Sequence, residues 1–327
     1  MQYVVTLGGD GLTKFRKLNI HVELIQINRN SFWGTIKILL ELYSFCKKNR
    51  IDIIHSHHRY FDLLATIISK PLNLRTIMSV QSKVKGFSFL SYNSDILIAV
   101  SATILNHLQH EYKISPSRIV LINNFVDVSE IRCTKTSSQL RTELNISNQN
   151  IIGFIARNSI REKGVDIMLN AFRRVESEFH DVLLIMVGKG ADDEYVKRVV
   201  QKYGLNVLVL GPKEDIYNYY NICDLIILPS RVEPFSVSLL EAGFMKKAVV
   251  ASNVDGIPEL IENGKEGLLF PVNGIEQLSA NIKLLLGNKD LCQRLGNNLH
   301  RKVLADFTSE RIIPQYKSLY SNFEWKN

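Results

Sequence analysis

Several features typical of other protein classes are missing from this chain of 327 residues. No stretch reaches the roughly 18 consecutive apolar residues of a membrane-spanning helix, and the best candidate, 87–105, is interrupted by serine, asparagine and aspartate. The four cysteines form no CxxC pair, which argues against a zinc or disulfide framework and favours a reducing compartment. The segment MQYVVTLGGDG lacks the basic residues and apolar run of a signal peptide. These absences predict a cytoplasmic location.

The net positive charge is confined to the first part of the chain. Residues 1–135 hold 17 Lys and Arg against 9 Asp and Glu, whereas the remainder holds 23 of each. A basic region beside a neutral one favours attraction to an anionic membrane or an acidic substrate. A solvated surface that keeps the protein soluble explains the charge equally well. A nucleic-acid partner is not expected, because the basic residues are dispersed and form no known reading motif.

Apolar, β-branched runs alternate with amphipathic segments along most of the chain. This pattern predicts an α/β fold with two doubly wound parallel sheets, joined by the polar segment 134–150. The predicted strands are 3–7, 20–25, 51–55, 76–80, 96–100, 119–122, 151–156, 182–187, 207–210, 225–228, 248–251 and 267–270. The predicted helices are 35–48, 63–68, 102–110, 165–176, 193–203, 217–221, 237–245, 275–286 and 310–320.

Two carboxylates frame the segment EPFSVSLLE, which follows the strand predicted at 225–228. Glu233 falls in the turn after that strand, and Glu241 lies one helical turn or more into the next helix. Ligands of open α/β sheets bind beyond the carboxyl ends of the strands, with anions at helix N-termini. The backbone around Phe235, Ser236 and Val237 would then face a diphosphate. Because helical side chains lean toward the helix N-terminus, Glu241 can reach back to the same ligand.

Two cations follow the strand predicted at 151–156. Arg157 closes that strand, and Lys163 precedes the next helix, so both belong to one edge of the sheet. Arginine and lysine in this position suit a diphosphate leaving group. Each of these residues taken alone is more often a surface charge.

Glycine-containing turns follow two further strands. Gly188 ends the strand at 182–187, and Gly211 with Pro212 follows the strand at 207–210. A base or a ribose can approach the backbone closely where a side chain is missing.

Residues 151–271 together closely resemble the donor domain of retaining family-four glycosyltransferases with the GT-B fold. The blocks that carry the resemblance are ARNSIREKG, EPFSVSLLEA and GIPELIENGKEGLL, which occur in the family's order and approximate spacing. Alanine at position 156 and serine at position 236 replace residues that are usually or often glycine in the family. The resemblance implies two Rossmann-like domains that face a central cleft. It implies an acceptor domain at 1–145, a donor domain at 146–308, and a terminal helix at 309–327 that returns to the first domain.

The resemblance also assigns roles. Glu233 contacts the donor sugar, Glu241 binds the ribose hydroxyls, and Arg157 and Lys163 neutralise the diphosphate. The implied reaction is retaining, hexosyltransferase-type transfer from a nucleoside-diphosphate sugar to a polysaccharide or lipid-linked acceptor. No cofactor is implied, and without a DxD motif in the chain we expect transfer to be independent of metal.

The resemblance extends into the first half through DIIHSH, DILIAVS and INNFVD at 52–57, 95–101 and 122–127. His57 and Gln81 are the predicted acceptor-side residues. Gln81 stands where the family often has histidine, so it can hydrogen-bond an acceptor but cannot carry a proton. Adjacent His57 and His58 point apart on a strand, so the histidines of this segment are not expected to hold a metal.

The start of the chain resembles the family's second strand, as if the first strand, glycine-rich loop and first helix were missing. In the usual sheet order that first strand is central, so its loss predicts a gap between the strands at 3–7 and 51–55. The alternative to an active enzyme is therefore a glycosyltransferase-like protein that binds a nucleotide sugar without transferring it. An epimerase, a phosphorylase and a dinucleotide dehydrogenase are less favoured, the last because no GxGxxG follows a strand.

Overall fold

The computed structural model describes residues 2–6, 12, 15, 20–24, 31–83, 86, 90–147 and 149–321. Parallel strands alternate with helices through these residues, which confirms the predicted fold class. The strands are β1 Tyr3–Thr6, β2 His21–Leu24, β3 Ile53–Ser56, β4 Arg75–Val80, β5 Ile96–Ala99, β6 Ile119–Leu121, β7 Asn150–Ile155, β8 Val182–Val187, β9 Val207–Gly211, β10 Leu225–Leu228, β11 Ala248–Ser252 and β12 Leu268–Phe270.

Thirteen helices lie in the described part of the chain. They are α1 Phe32–Lys48, α2 Arg59–Leu72, α3 Ala102–His110, α4 Ser137–Glu143, α5 Ile160–Lys163, α6 Val165–Glu176, α7 Asp193–Tyr203, α8 Ile216–Ile222, α9 Val237–Phe244, α10 Ile257–Leu260, α11 Ile275–Leu286, α12 Lys289–Asp306 and α13 Ser309–Ser321. None of them is both long and apolar enough to cross a bilayer.

The chain divides into two compact units, one of residues 1–79 and 85–97 and the other of residues 80–84 and 98–327. The predicted domain limits at 145 and 308 rest on the family resemblance and stay a prediction.

The first strands form two separate sheets. β1 pairs in parallel with β2, with Tyr3 opposite His21. β3 pairs in parallel with β4, and the order of that second sheet is β3-β4-β5-β6. Among the described residues no ladder joins β1 to β3, and the missing first strand stays a prediction. The glycine-rich segment 8–11 and most of the short stretch predicted to be helical after it fall outside the described residues.

Helix α1 covers part of the first unit with an amphipathic face. The Ser31 hydroxyl caps its N-terminus by accepting a hydrogen bond from the Gly34 amide at 2.9 Å. Ile38, Leu42 and Cys46 recur every four residues and are buried, in a cluster that includes residues of α2. The helix begins three residues before the predicted position 35, because the cap at Ser31 adds a first turn.

The second unit contains a six-stranded parallel sheet of order β12-β11-β10-β7-β8-β9. The chain runs outward from β7 through β8 to β9, then returns to the other side of β7 with β10. Leu225 of β10 lies opposite Ile152 of β7. The strand order therefore reverses between β7 and β10, and we call the carboxyl end of these two strands the switch point. Open parallel sheets bind ligands in the crevice at such a point.

Apolar side chains dominate the core of this sheet. Phe154 of β7, Leu184 of β8 and Phe172 of α6 are completely buried in one cluster, to which α11 contributes Leu278 and Ile282. Strands buried on both faces read as continuous apolar runs, which is why the predicted bounds of β8 and β10 match the observed ones.

Helix α12 corrects the sequence prediction, which placed no helix between 286 and 310. The triplet Gly296-Asn297-Asn298 is typical of a turn. In the structure Gly296 is buried within α12, and a Cβ there would lie 2.3 Å from the carbonyl oxygen of Lys246. The glycine thus allows close packing of a helix against a loop. A second correction is α4, which lies inside the polar segment predicted to join the two sheets. Its N-terminus is capped by a Thr136–Gln139 capping box.

Helix α13 confirms the predicted terminal helix within one residue at each end. The residue before it, Thr308, forms a parallel bridge with Val126, and the Ser309 amide donates to the Val126 carbonyl at 2.9 Å. Ile312 is buried, whereas Ile313 and Tyr320 are exposed.

Candidate functional site

Four predicted site residues follow the two strands of the switch point. Arg157 comes two residues after β7, and Lys163 ends the short helix α5 that follows it. Glu233 comes after β10, and Glu241 lies within α9. The sheet order, which periodicity does not reveal, brings these two segments of the chain side by side.

Lys163 and Glu233 are in direct contact. The Lys163 Nζ lies 2.5 Å from the Glu233 Oε2, and only 18% and 8% of the two side chains are exposed. The Ser230 hydroxyl donates to the same oxygen at 3.2 Å. Gly164, with φ +62, ends α5 so closely against β10 that a Cβ would lie 2.0 Å from the Pro229 carbonyl oxygen. The glycine therefore allows the lysine and the glutamate to meet.

Asp255 fixes the backbone beside Glu233. Its Oδ2 accepts a hydrogen bond from the Glu233 amide at 3.0 Å, and its Oδ1 lies 2.7 Å from the Lys83 Nζ. Asp255 adopts φ +46, a conformation that is costly for a residue with a Cβ. The sequence pattern gave Asp255 no role.

Arg157 is held less firmly than Lys163. Its guanidinium lies 2.7 Å from the Glu162 carboxylate, and 69% of its side chain is exposed. An ion pair this exposed contributes little, about 0–1 kcal/mol, so the arginine can exchange its partner for a phosphate at small cost.

The N-terminus of α9 lies against the end of β7. The Ser236 hydroxyl caps the helix by accepting from the Leu239 amide at 3.3 Å, and the Ser238 hydroxyl donates to the Ile155 carbonyl at 3.1 Å. Val237 is the first helical residue and is 43% exposed. The amides of a first helical turn have no partner within the helix, so they are suited to an anion.

Phe235 reaches the site with its backbone only. Its ring is buried against Phe307, with the ring centres 5.4 Å apart. Its carbonyl accepts a hydrogen bond from the Asn124 amide group at 3.1 Å. The segment after β6 therefore lies beside the turn that leads from Glu233 to α9.

Glu241 is bound by two tyrosines of α8. The Tyr217 hydroxyl lies 3.3 Å from Oε1, and the Tyr220 hydroxyl lies 3.0 Å from Oε2. Burial raises the pKa of Glu241, and the two tyrosine hydrogen bonds oppose that shift. Tyr217 and Tyr220 are three residues apart, so a helix places them on one face; their contact with Glu241 depends on packing and could not be read from the sequence.

The predicted glycine turns meet at the ends of β7, β8 and β9. The Gly188 amide donates to the Gly211 carbonyl at 2.9 Å. A Cβ on Gly188 would lie 2.0 Å from the Ala156 carbonyl oxygen, and one on Gly190 would lie 2.1 Å from the Asn158 carbonyl oxygen. Backbone thus packs on backbone here, while Pro212 next to Gly211 is exposed.

The predicted acceptor-side residues have different surroundings. Gln81 is exposed, and its side-chain amide lies 3.4 Å from that of Asn124. His57, in the first unit, is stacked on His55 with ring centres 4.5 Å apart. Burial and the neighbouring His57 lower the pKa of His55 to about 3, and its Nε2 lies 2.8 Å from the Ser79 hydroxyl. In the described residues no group of three His, Cys, Asp or Glu side chains is arranged to hold a metal.

Arg231 is another residue with no predicted role that lies beside the site. It forms a two-pronged ion pair with Asp166, at 2.7 and 2.8 Å, and its Nε donates to Asn273 at 2.8 Å. This contact joins the turn after β10 to the first turn of α6. The alternation of charges in REKGVD gave no signal of it.

Comparison with known proteins agrees with this arrangement. The chain is 24% identical over 322 residues to the N-acetyl-alpha-D-glucosaminyl L-malate synthase of Bacillus anthracis, covering 92% of this chain and 84% of that protein. It is 23% identical over 309 residues to an Escherichia coli UDP-Gal:alpha-D-GlcNAc-diphosphoundecaprenol alpha-1,3-galactosyltransferase, covering 87% and 79%.

Solved structures show the same fold. The structure of Anabaena HepE in complex with UDP and glucose superposes with a TM-score of 0.86 at 21% identity, covering 98% of this chain and 92% of that one. A glycosyltransferase from Rickettsia africae superposes with a TM-score of 0.83 at 23% identity, covering 98% and 89%. These neighbours confirm the GT-B fold.

Family models account for most of the chain. Residues 2–130 match the model of Glycosyltransferase Family 4. Residues 137–302 match the model of Glycosyl transferases group 1, which contains β7 to β12 and every predicted donor-site residue. The chain therefore belongs to the group 1 glycosyl transferases and is a glycosyltransferase.

Proposed function

We propose that this glycosyltransferase moves a sugar from a nucleoside-diphosphate sugar to a growing polysaccharide or lipid-linked acceptor, with retention and without a metal. The observation that carries the proposal is the buried contact of Lys163 with Glu233 at the switch point of the six-stranded sheet. A lysine and a glutamate at this point can stabilise the two opposite charges that develop in such a reaction. The departing diphosphate becomes more negative, and the sugar becomes more positive.

The donor class is supported by the charges around the site. The Lys163 ammonium group is paired with the Glu233 carboxylate, and the Arg157 guanidinium is paired with the Glu162 carboxylate. A diphosphate adds negative charge beside both cations and next to the first turn of α9. Cations and helix amides that are already in place stabilise the leaving group without reorganisation. Two of the similar proteins involve uridine nucleotides: the Escherichia coli galactosyltransferase is named for UDP-Gal, and the structure of Anabaena HepE contains UDP and glucose.

Glu233 is proposed to orient the sugar and to stabilise its positive charge. Its contacts with Lys163 and Ser230 both use Oε2, and the Asp255 carboxylate fixes its amide. A carboxylate restrained in this way has little freedom to swing, so binding in a reactive geometry costs less entropy. The reaction proceeds with retention because the acceptor attacks on the face from which the diphosphate leaves.

A lipid-linked acceptor at the cytoplasmic face of a membrane is the acceptor we favour. Phe32 and Trp33 at the start of α1 are 74% and 77% exposed, with their rings 5.7 Å apart, and Leu40 on the same helix is 63% exposed. Lys37, Lys47 and Lys48 are exposed on this helix as well. Aromatic side chains beside lysines are typical of proteins that bind the interface of anionic membranes.

The test is a screen of the purified full chain with UDP-, GDP- and ADP-sugars, with and without EDTA. We expect slow hydrolysis of one donor, faster turnover with a lipid-linked glycan, an α-linked product from an α-linked donor by NMR, and no effect of EDTA. Nucleotide binding without hydrolysis or transfer would favour the alternative, a protein that binds a nucleotide sugar without transferring it. An inverted product would overturn retention, and loss of activity in EDTA would overturn metal independence.

A further inference from the structure

Two tyrosine hydroxyls bind the Glu241 carboxylate, one at each oxygen. Each of its oxygens accepts a hydrogen bond from one tyrosine, Oε1 from Tyr217 at 3.3 Å and Oε2 from Tyr220 at 3.0 Å. A carboxylate oxygen has two lone pairs, so one tyrosine per oxygen leaves one acceptor position on each. Two neighbouring acceptor positions on one carboxylate match the two hydroxyls of a vicinal diol.

The tyrosines are rigidly placed. Tyr220 is completely buried, and its hydroxyl also lies 3.2 Å from the Ser238 carbonyl in the first turn of α9. The two tyrosine rings lie 6.4 Å apart at 25°, so each limits the rotation of the other. Burial and the neighbouring carboxylate raise the pKa of both tyrosines, which keeps them protonated as donors.

Helix α8 itself is fastened to the segment before α4. Asn218 lies between the two tyrosines in sequence and is 1% exposed. Its side-chain oxygen accepts from the Thr134 amide at 2.8 Å and the Lys135 amide at 3.1 Å, and its Nδ2 donates to the Thr134 hydroxyl at 2.8 Å. A helix of seven residues is too short to be stable alone. These contacts therefore fix the position of the two tyrosines relative to Glu241.

We propose that Tyr217 and Tyr220 are positioning residues that orient the Glu241 carboxylate toward a ribose diol, and so make the site select ribonucleotides over nucleotides without the 2′ and 3′ hydroxyls. This inference rests on the proposed function, in which Glu241 meets the donor's ribose. The tyrosines do not touch the ribose themselves. Without them the carboxylate would rotate and lose the alignment of its two remaining lone pairs.

The experiment measures binding by calorimetry to the full chain. The probes are UDP, ADP and GDP and their 2′,3′-dideoxy analogues, and the variants are Tyr217→Phe and Tyr220→Phe. Tyr219→Phe is the matched control, because it removes a hydroxyl from the same helix at a residue that neither touches Glu241 nor belongs to the site. Glu241→Gln gives the reference for a site without the carboxylate.

We expect the wild-type protein to prefer the ribonucleotide over its dideoxy analogue by about tenfold or more, since hydrogen bonds to a charged group are among the stronger ones. Tyr217→Phe and Tyr220→Phe should each reduce this preference toward the value for Glu241→Gln, mainly by weakening the binding of the ribonucleotide. Tyr219→Phe should keep the wild-type preference. If the role of the tyrosines were purely structural, the variants would bind both nucleotides more weakly by the same factor. The ratio of the two dissociation constants would then stay unchanged.

The outcomes separate the two levels of the proposal. Wild-type preference retained in both Phe variants would overturn the positioning role and leave the proposed function intact. No binding of any nucleoside diphosphate by the wild-type protein would overturn the proposed function, and the inference with it. If Tyr220→Phe does not fold, as judged by circular dichroism, the half-buried Tyr217→Phe decides the question alone.

Discussion

The first unit and the six-stranded sheet are both built from parallel strands and helices, yet they differ in how completely they bury apolar side chains. In the sheet of β7 to β12, the cluster around Phe154, Phe172 and Leu184 covers one face, and residues of the other face such as Ile185 and Ile226 are buried as well. In the first unit the buried cluster consists of Ile38, Leu42, Cys46, Leu64, Ile68 and Leu74. A cavity of about 800 Å³ also opens there, lined by Tyr3 and Val5 of β1 and by Phe45 of α1.

This difference separates two tasks. In the proposed function, the residues that hold the diphosphate follow strands whose positions are set by a dense core. The first unit has an open cavity and exposed aromatic residues, features that suit the acceptor surface proposed above. Dense packing gives precision because side chains in such a core have few alternative positions.

The same substitution in the two cores tests the comparison most strongly. Leu184 and Leu64 are both buried, at 0% and 1% exposure. We expect Leu184→Ala to cost about 4–5 kcal/mol of unfolding free energy and Leu64→Ala about 2–3, because the looser region can collapse around the lost methyl groups. Denaturant titration measures both values. Equal costs would show that the first unit is packed as rigidly as the sheet.

The chemistry should be confined to the switch point. Lys163→Ala and Glu233→Ala are each expected to lose at least about 2 kcal/mol of transition-state stabilisation, or roughly 30-fold in kcat/KM, through loss of a preorganised charge. Lys197→Ala is the control, since Lys197 pairs with Glu194 on the surface of α7. Turnover within a factor of two of the wild-type value in either site variant would remove that residue from the site.

A pH titration that compares the wild-type protein with a His55 variant probes a buried histidine of the first unit. The pKa of His55 is lowered to about 3, so below about pH 6.5 the unfolded chain binds a proton that the folded protein does not. The contribution of His55 to the free energy of unfolding is therefore fully present above pH 6.5. It is lost as the pH is lowered toward 3, and the loss is about 1–2 kcal/mol at pH 5. His55→Gln should show a shallower loss over this interval in thermal melts. An unchanged slope would mean that the histidine is protonated in the folded protein.

The smallest stability effect is expected at the exposed aromatic pair. Trp33→Ala should change the free energy of unfolding by less than about 0.5 kcal/mol, because the side chain is 77% exposed. The same variant should bind vesicles containing anionic phospholipid more weakly than the wild-type protein in a flotation assay. Unchanged vesicle binding would remove Trp33 from the proposed membrane surface, and a large loss of stability would show that it packs inside the first unit.

Periodicity predicted the buried elements well and the irregular ones poorly. The bounds of β8 and β10 were correct because long apolar runs end abruptly in turns. Helix α12 was missed because Gly296 is used for packing and not for a turn. Helix α2, predicted at 63–68, spans Arg59–Leu72, because His58 caps its start and Pro71 lies in its last turn.

The charged residues of the candidate site could be named from the sequence, but most of their partners could not. Lys163 and Glu233 were expected at the same sheet edge, and the structure places them in contact. Asp255, Tyr217 and Tyr220 were not assigned, since their contacts depend on how separate loops and helices pack. The roles of Glu233, Glu241, Arg157 and Lys163 in catalysis stay predictions until the variants are measured.

The paired glycines after β8 have a consequence for engineering. Because Gly188 and Gly190 lie directly on the main chain of Ala156 and Asn158, any side chain there would force two loops apart. Random substitution at these two positions would therefore be poorly tolerated, whatever the ligand. Productive diversity would come from Lys189 between them and from the exposed turn that begins at Pro212.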